Sequence, residues 1–463
     1  MVSQNGGSKL GASLKGKRVL FGTDGVRDVA NKGGMTPEMA LRLGRAFILF
    51  LMEKEGVPRP RIVMGRDTRR SGMMLEGALA AGMTSAGAEV LSIGVIPTPG
   101  VSCSVRSLGV NGGAVISASH NPAEYNGIKF LDRDGCKLSD DAELSIEEYI
   151  GDNLTDDWRP TGASVGEVHF QPALVQSYAE HLAALPRCGE LPGKVAFDCA
   201  HGAAGAVMPS LLKLLGLDCP LIGAFFNGMD INDGAGVMHM EHLENYVTHF
   251  ECRLGFAFDG DADRVLAADA KGRVIDGDIL LWVLARWLLS QGLLGSGVAV
   301  TVMSNMALEG HLEREGIKVF RCPVGDRYVL DAMRHSGARL GGEQSGHIIA
   351  DAFTSTGDGL CTALLFLKAL HDLGEDPDTL VDRFGRYPQK LTNLPLKGHK
   401  ALDMERVNAI AGGAQKRIEG TGRIFIRPSG TEPLLRILVE ARETALVEEM
   451  SQLLVEELRD FCE

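Results

Sequence analysis

The sequence predicts an α/β fold in which several sheet-containing domains follow one another and a smaller α+β domain ends the chain. Three observations support this prediction: a length of 463 residues, a repeated alternation of strand-like and helix-like segments, and a different order of elements near the C-terminus. A chain of this length exceeds what one hydrophobic core usually supports, so about three or four domains are expected.

The alternation of strand-like and helix-like segments extends over most of the chain. Residues 61–64 have a strand pattern, 73–86 a helical pattern and 89–93 a second strand pattern. The same order recurs in residues 194–215 and again in residues 298–316. Because strands that alternate with helices are typical of parallel sheets, these segments predict a series of α/β units.

The last part of the chain has a different order. A helical pattern covers residues 404–415, and two short strand patterns follow at 423–426 and 436–440. A closing helical pattern begins at Leu446. Paired strands between helices predict a smaller α+β domain here.

Turn-forming residues suggest where the domains meet. They gather at residues 152–166, near Asp259 and at residues 374–377. The N-terminal residues are rich in Gly, Ser and Lys and lack the apolar run of a secretory signal, which predicts a flexible tail. The predicted divisions are a tail 1–18 and domains 19–160, 161–258, 259–375 and 376–463.

Composition excludes several classes of partner. The formal net charge of -13 argues against a general nucleic-acid or anionic-membrane surface, because such surfaces rely on Lys and Arg. The apolar run 279–289 is interrupted by Arg286 and is too short to span a bilayer, which favours a buried helix. The nine cysteines form no C-x-x-C pair and are interpreted as free thiols of a reducing compartment. We therefore expect a cytoplasmic protein without nucleic-acid or membrane partners.

The first cluster of potentially reactive residues is the segment SASHNP at residues 117–122. Ser119 has His120 beside it and Lys129 ten positions further on. A serine hydroxyl needs a neighbouring base or a metal to become a good nucleophile, and both nitrogens are candidates for that role. The same residue types also form ordinary turns, and this alternative stays open. The segment lacks the G-x-S-x-G pattern of hydrolases.

The second cluster is an acidic loop after the apolar strand pattern 254–258. Asp259, Asp261 and Asp263 alternate along this loop, and Arg264 follows them. An EF-hand is excluded, since its sixth position would be Arg264 instead of Gly and its twelfth Ala270 instead of Glu. Three carboxylates that leave room for a phosphate oxygen suit Mg²⁺. The alternative is a solvated acidic turn.

The third cluster, GGEQSGH, covers residues 341–347. Glu343 and Ser345 are two positions apart, so in an extended segment both side chains face the same side. They are candidates to bind adjacent hydroxyls of a sugar. A plain glycine-rich turn is the competing interpretation.

The fourth cluster, RPSGTEP, covers residues 427–433, and Arg436 follows on the next strand pattern. Two guanidinium groups, two hydroxyls and exposed backbone N–H groups around a glycine suit an anion with several acceptor oxygens. The segment is not a Walker A loop, which requires Gly-Lys-Ser/Thr after its spacer. A structural loop between two prolines is the alternative.

Together the four clusters resemble the α-D-phosphohexomutase superfamily. The resemblance begins at FGTDGVR, residues 21–27, and continues to Arg436, so it covers nearly the whole chain. Within the superfamily the sequence is most similar to the bacterial phosphoglucosamine mutases, through Gln344 and the segments TVMSN and VGDRYV. Tyr125 stands where an Asp often precedes Asn-Gly, a feature of the phosphomannomutase/phosphoglucomutase relatives.

The resemblance implies three similar mixed-sheet α/β domains and a smaller C-terminal α+β domain around a central cleft. It implies that Ser119 is a phosphoserine whose phosphate completes a Mg²⁺ site on Asp259, Asp261 and Asp263. The catalytic residues implied to surround the transferring phosphate, with His120 or Lys129 as general base, are Arg27, His120, Lys129 and Arg264. The implied substrate-binding residues are Arg327, Glu343, Ser345, Arg427, Ser429, Gly430, Thr431 and Arg436.

The implied activity is the interconversion of glucosamine 6-phosphate and glucosamine 1-phosphate through a 1,6-bisphosphate, feeding UDP-N-acetylglucosamine and cell-wall precursor synthesis. Glucosamine 1,6-bisphosphate or glucose 1,6-bisphosphate is the implied activator, the partner is a hexose phosphate, and the protein is a monomer or homodimer. A phosphomannomutase/phosphoglucomutase, a metal-dependent sugar phosphatase and a noncatalytic sugar-phosphate sensor are the alternatives.

Overall fold

The structure, a computed structural model, describes residues 20–22, 24–151, 159–396, 403–428 and 434–462. It contains two compact units. The larger comprises Met1–Met303 and Ile317–Leu380, and the smaller comprises Ser304–Gly316 and Val381–Glu463.

The larger unit begins with a six-stranded mixed sheet. Its strands are β1 (Val26–Val29), β2 (Arg61–Arg66), β3 (Glu89–Val95), β4 (Gly112–Ile116), β5 (Tyr125–Leu131) and β6 (Val168–Phe170). Their order is β1-β5-β4-β2-β3-β6, and only β5 runs antiparallel to both of its neighbours. The accompanying helices are α1 (Pro37–Glu53), α2 (Gly72–Ser85), α3 (Thr98–Leu108), α4 (Asp140–Gly151) and α5 (Ala173–Ala183).

A second sheet of five strands follows. Its strands are β7 (Val195–Asp198), β8 (Leu221–Ile222), β9 (Leu254–Phe258), β10 (Val265–Asp269) and β11 (Val274–Ile275), in the order β11-β10-β9-β7-β8. The helices of this segment are α6 (Ala204–Leu215) and α7 (Met240–His249). Every residue of β9 and β10 is buried, which places the turn between them at the edge of a rigid core.

The third sheet has four strands in the order β13-β12-β14-β15. They are β12 (Val298–Thr301), β13 (Val319–Cys322), β14 (Leu340–Gly342) and β15 (Ile348–Ala350). The helices of this region are α8 (Gly277–Ser290), α9 (Met306–Arg314), α10 (Asp326–Ser336), α11 (Gly359–Leu373) and α12 (Pro377–Phe384), and α9 lies in the smaller unit. The apolar run 279–289 lies within α8 and is largely buried, as predicted, and no helix of the described ranges is long and apolar enough to cross a membrane.

The smaller unit contains an antiparallel sheet. Its strands are β16 (Gln389–Pro395), β17 (Gly422–Pro428) and β18 (Leu434–Ala441), in the order β16-β18-β17. The helices α13 (Met404–Arg417) and α14 (Thr444–Cys462) contribute to its core with β18. The predicted fold class is confirmed: three mixed α/β sheets precede a small α+β domain.

Two predicted domain boundaries differ from the observed sheets. Strands β9 and β10 pair antiparallel, so the boundary at residues 258 and 259 passes through the turn of a single hairpin. Strand β6 pairs with β3, so residues 168–170 belong to the first sheet and not to the second. The reason is physical: a functional turn and a linker share the same polar, glycine-containing composition.

The first core depends on a close approach of two helices. A Cβ atom added at Gly44 of α1 would lie 2.4 Å from the carbonyl oxygen of Leu79, and one added at Gly82 of α2 would lie 2.0 Å from that of Leu41. Neither position therefore tolerates a side chain without separating the helices. On the same core, the rings of Phe47 and Phe130 stack with centroids 4.2 Å apart.

This geometry predicts opposite effects for two alanine substitutions in one helix. We expect Gly82→Ala to lower the free energy of unfolding by about 1–3 kcal/mol, because the methyl group forces α1 and α2 apart. Gly77→Ala is the control: it faces open space and should stabilise α2 by roughly 0.5–1 kcal/mol. Thermal unfolding followed by circular dichroism measures both, and equal shifts would contradict the close-approach argument.

Candidate active site

The serine loop, residues 117–122, follows β4. Ser119 has a left-handed backbone (φ 50°) and only 1% of it is exposed. Its Oγ donates a hydrogen bond to Asp259 Oδ2 at 2.5 Å and lies 3.3 Å from His120 Nδ1. The hydroxyl predicted to be the nucleophile thus contacts the predicted metal loop directly.

Arg69 holds the serine loop in place. Its guanidinium group donates to the carbonyl oxygens of Ser119 at 3.0 Å, Asn121 at 2.7 Å and Tyr125 at 3.0 Å, and also to that of Pro122. The group is fully buried and its charge is paired with Asp67, 2.9 Å away. A planar fork of five donors can satisfy four carbonyls and a carboxylate at once, whereas the ammonium of a lysine has only three donors.

Asn232 and the metal loop provide a second contact to the serine loop. Asn232 Nδ2 donates to the carbonyl oxygens of Ser119 at 2.9 Å and Asn121 at 3.0 Å. A Cβ atom at Gly260 would lie 2.6 Å from the carbonyl oxygen of Ser119, so only glycine allows the two loops to touch. Arg69 and Asn232 were not predicted as site residues. Polar residues directly after a parallel strand, as in Asp67-Thr68-Arg69 after β2, are the signal for Arg69.

The metal loop connects β9 and β10. One oxygen from each of the buried residues Asp259, Asp261 and Asp263 lies within 4.8 Å of the other two. Asp261 Oδ2 accepts hydrogen bonds from Thr98 Oγ1 at 2.6 Å and from Lys129 Nζ at 3.2 Å. In the described part of the chain, Asp261 Oδ1 and Asp263 Oδ1 are buried without a hydrogen-bond partner. Because an unsatisfied buried carboxylate oxygen is costly, this arrangement fits a hard divalent cation.

The pKa of Asp259 in this loop also favours a bound divalent cation. Burial raises the pKa of Asp259 well above its ordinary value, and the negative charges of Asp263 and Asp261 raise it further. Without a cation the three carboxylates therefore cannot all ionise easily. A bound Mg²⁺ would remove both penalties at once.

The carboxylate of Asp24 contacts three cationic side chains of the site. Its carboxylate contacts Arg27 and Lys137 closely and lies 3.0 Å from Lys129 Nζ. Burial would raise the pKa of Asp24, but Lys129, Lys137 and Arg27 hold it well below its ordinary value. Arg27 in turn donates to Asn121 Oδ1 at 2.9 Å, so its guanidinium contacts the serine loop.

The two predicted bases differ in charge. Burial would lower the pKa of Lys129, but Asp24, Asp261 and Asp263 outweigh it and raise the pKa above its ordinary value. Burial, together with the charges of Arg264 and Arg27, lowers the pKa of His120 to about 4. At neutral pH Lys129 is therefore a cation and His120 a neutral imidazole.

The sugar-loop candidates lie beside the metal loop. The backbone N–H of Arg264 donates to Asp259 Oδ1 at 3.2 Å, and its neighbour Val265 donates to the carbonyl of Gly346 at 3.1 Å. Glu343 is buried and accepts a hydrogen bond from Gly325 N at 3.0 Å, whereas Ser345 is exposed. The third cluster is therefore joined to the second through the backbone.

Arg327 is paired with two acidic residues of α4. Its guanidinium is ion-paired with Asp140, in close contact, and with Glu143 at 3.0 Å, both on α4. The neighbouring Asp326 instead lies 3.6 Å from His347 Nε2. Neither Asp326 nor His347 was predicted as a site residue.

The structure describes only part of the predicted phosphate loop. Ser429, Gly430 and Thr431 lie outside the described residues. Arg427 on β17 and Arg436 on β18 are directly opposite each other in the antiparallel ladder. Burial and the charge of Arg436 lower the pKa of Arg427. Two guanidinium groups side by side can bind an anion with several acceptor oxygens, which fits the predicted phosphate role.

Comparison with protein families matches four domains in series. They are the phosphoglucomutase/phosphomannomutase alpha/beta/alpha domains I (residues 18–156), II (176–272) and III (276–387) and the C-terminal domain (391–457). The metal loop thus falls within domain II, in agreement with the β9–β10 hairpin.

Curated relatives decide the family. The phosphoglucosamine mutases of Bacillus velezensis and Bacillus subtilis are each 43% identical to this chain over 441 residues, which cover 95% of it and 98% of each relative. The chain belongs to the phosphoglucosamine mutase family. Among solved structures, a phosphoglucomutase/phosphomannomutase family protein from Burkholderia thailandensis has a TM-score of 0.81 at 25% identity, covering 95% of this chain and 97% of that one.

The fold is shared more widely. An N-acetylphosphoglucosamine mutase from Aspergillus fumigatus, solved with GlcNAc-6P and magnesium, has a TM-score of 0.66 at 19% identity, with 97% of both chains covered. This phosphoglucosamine mutase family member therefore keeps the phosphohexomutase fold although most residues differ.

The four hydrogen bonds from Arg69 to backbone carbonyls, here called the Arg69 clamp, should be needed for catalysis. We expect Arg69→Lys to lower kcat roughly 100-fold, because a point charge cannot hold four carbonyls and the nucleophile loses its position. Arg70→Lys, at the exposed neighbouring position, is the control and should leave kcat unchanged. Steady-state kinetics of both variants measure the difference. Equal kcat values in the two variants would argue against the clamp.

A second prediction concerns metal binding and pH. Because the pKa of Asp259 is raised in the metal-free protein, the stability of that state falls as pH rises through this pKa. Mg²⁺ competes with the proton, so the increase in Tm caused by Mg²⁺ should be larger at about pH 8 than at about pH 6. Differential scanning fluorimetry tests this. In Asp263→Asn, Mg²⁺ affinity should fall roughly tenfold or more; an unchanged Mg²⁺ response would exclude this loop as the metal site.

Proposed function

We propose that this protein interconverts glucosamine 6-phosphate and glucosamine 1-phosphate by phosphoryl transfer through Ser119. One observation carries the proposal: a buried serine hydroxyl lies 2.5 Å from one of three clustered, buried carboxylates, in a phosphoglucosamine mutase family member. The reaction makes the protein an isomerase of the intramolecular phosphotransferase type, and phosphorylated Ser119 is its working form.

Asp259, Asp261 and Asp263 would hold Mg²⁺, with an oxygen on Ser119 as a further ligand. Bound there, the ion supplies electrostatic stabilisation of the charge on the transferring phosphoryl group. The unsatisfied oxygens of Asp261 and Asp263 support this assignment.

The protein's own side chains supply position and charge. Phosphoryl transfer has a loose, charge-rich transition state, so catalysis depends mainly on placing the groups and stabilising negative charge. Arg27, Lys129 and Arg264 provide positive charge near the serine loop, and Asp24 fixes two of them. Of the two candidate bases, His120 accepts the proton of the attacking sugar hydroxyl, because it is a neutral imidazole, whereas the protonated Lys129 has no free lone pair.

The sugar must present both of its ends in turn. Ser119 gives its phosphate to form a 1,6-bisphosphate, which turns around and returns the other phosphate to the same serine. Glu343 and Ser345, with Arg327, are the proposed contacts to the sugar. The non-reacting phosphate would bind to Arg427, Ser429, Gly430, Thr431 and Arg436, because such a loop reads oxygen charge and geometry at either end of the sugar.

The proposed enzyme also needs an activator, a cellular location and an oligomeric state. Glucosamine 1,6-bisphosphate or glucose 1,6-bisphosphate would restore phosphate to Ser119 when it is lost. We place the enzyme in the cytoplasm, as a monomer or homodimer that supplies precursors of UDP-N-acetylglucosamine and the cell wall. A phosphomannomutase/phosphoglucomutase activity is the second candidate, since Tyr125 matches those relatives.

A direct assay tests the proposal. Purified protein with Mg²⁺ and a hexose 1,6-bisphosphate should convert glucosamine phosphate faster than glucose or mannose phosphate. Ser119→Ala should lower the rate by roughly 1,000-fold or more, whereas Ser107→Ala, an exposed control on α3, should not. A preference for mannose or glucose phosphate would favour the second candidate. Release of inorganic phosphate without isomer formation would instead identify a phosphatase.

A further inference from the structure

Lys137 occupies an unusual position between two carboxylates. It follows β5, and its backbone forms an antiparallel bridge to Leu131 at the end of that strand. Only 12% of its side chain is exposed, and its Nζ closely contacts both Asp24 and Asp326. A buried ammonium shared by two acids is expensive to desolvate and persists only where both partners hold it.

The two carboxylates serve different parts of the site. Asp24 lies on the side of the reacting phosphate, where it contacts Arg27 and lies 3.0 Å from Lys129. Asp326 begins α10 and lies 3.6 Å from His347, the last residue of the GEQSGH segment. Lys137 therefore connects the groups that surround Ser119 with the loop proposed to bind the sugar.

The charges explain why this connection matters. Asp24 and Asp326 approach the same ammonium from two sides, so they would repel each other across its position without it. Burial would raise the pKa of Asp326, and Lys137 is the largest opposing influence. Loss of the Lys137 charge would weaken the hold on Asp24, and Arg27 and Lys129 would lose their fixed partner.

We propose that Lys137 is a positioning residue that couples the phosphoryl-transfer groups to the sugar-binding loop. It acts through Asp24 and Asp326 and does not itself contact the reacting atoms. This inference rests on the proposed isomerase function. Its signature is a loss in kcat, because displaced Arg27 and Lys129 stabilise the transition state less well, while the proposed phosphate contacts Arg427 and Arg436 on β17 and β18 are left unchanged by the substitution.

Two substitutions at this position test the proposal in the full-length enzyme. Lys137→Met keeps the length of the side chain without its charge and should lower kcat roughly 100-fold, with KM changed less than about threefold. Lys137→Arg keeps the charge and should recover at least about tenfold of that loss. The matched control is Lys368→Met, which removes an i,i+4 ion pair with Asp372 far along the chain and should leave kcat unchanged.

A double-mutant cycle tests the route through Asp24. If Lys137 acts through Asp24, Lys137→Met combined with Asp24→Asn should cost much less than the product of the two single losses. Multiplying losses would overturn the proposal, as would a raised KM at constant kcat, which would make Lys137 a direct substrate contact. A loss that follows a fall in Tm in both Lys137 variants would assign it a structural role. Wild-type enzyme without isomerase activity would refute the proposed function itself.

Discussion

The short hydrogen bond between the Ser119 hydroxyl and the Asp259 carboxylate is the contact that the remainder of the site is arranged to maintain. It joins a loop of the first sheet to a hairpin turn of the second, two segments separated by 140 residues in the sequence. Arg69 and Asn232 hold the serine loop from behind, and Gly260 lets the metal loop approach without a clash. Ser119 is thus positioned both by contacts to the backbone of its loop and by the hydrogen bond of its own hydroxyl group.

Burial of charge is the constraint that this contact imposes. Three carboxylates that converge in the interior repel one another, and they lose the solvation that would otherwise reduce that repulsion. Cations compensate for this charge: Lys129 is buried near Asp261 and Asp263, and the partly exposed Arg264 flanks the same loop. Asp24 and Lys137 extend the alternation of charge toward Asp326. Many of these charged side chains are almost fully buried, so each of them needs its partner. Loss of one member would leave a buried charge unpaired and destabilise the network.

The four sequence clusters could be found without a structure, because each of them is a local run of residues. The serine loop and the metal loop contact each other as that interpretation requires. The resemblance implied a substrate-binding role for Arg327, and the structure adds that its guanidinium pairs with Asp140 and Glu143 of α4. The residues that sequence reasoning missed share one property, since each acts through a partner distant in the chain: Asp24, Arg69, Lys137, Asn232, Asp326 and His347.

The sequence by itself determined the fold class and the order of the domains, and it pointed to a candidate nucleophile and candidate metal ligands, because hydrophobic periodicity and short polar motifs are local properties. The tertiary structure decided which loops contact each other, which sheet carries the metal loop, and which cations pair with which acidic residues. Those outcomes depend on distances between segments more than 100 residues apart, as for Ser119 and Asp259 or Lys137 and Asp24. Electrostatic energy falls with distance and rises with burial, so a pairing of charges is defined only once the chain has folded.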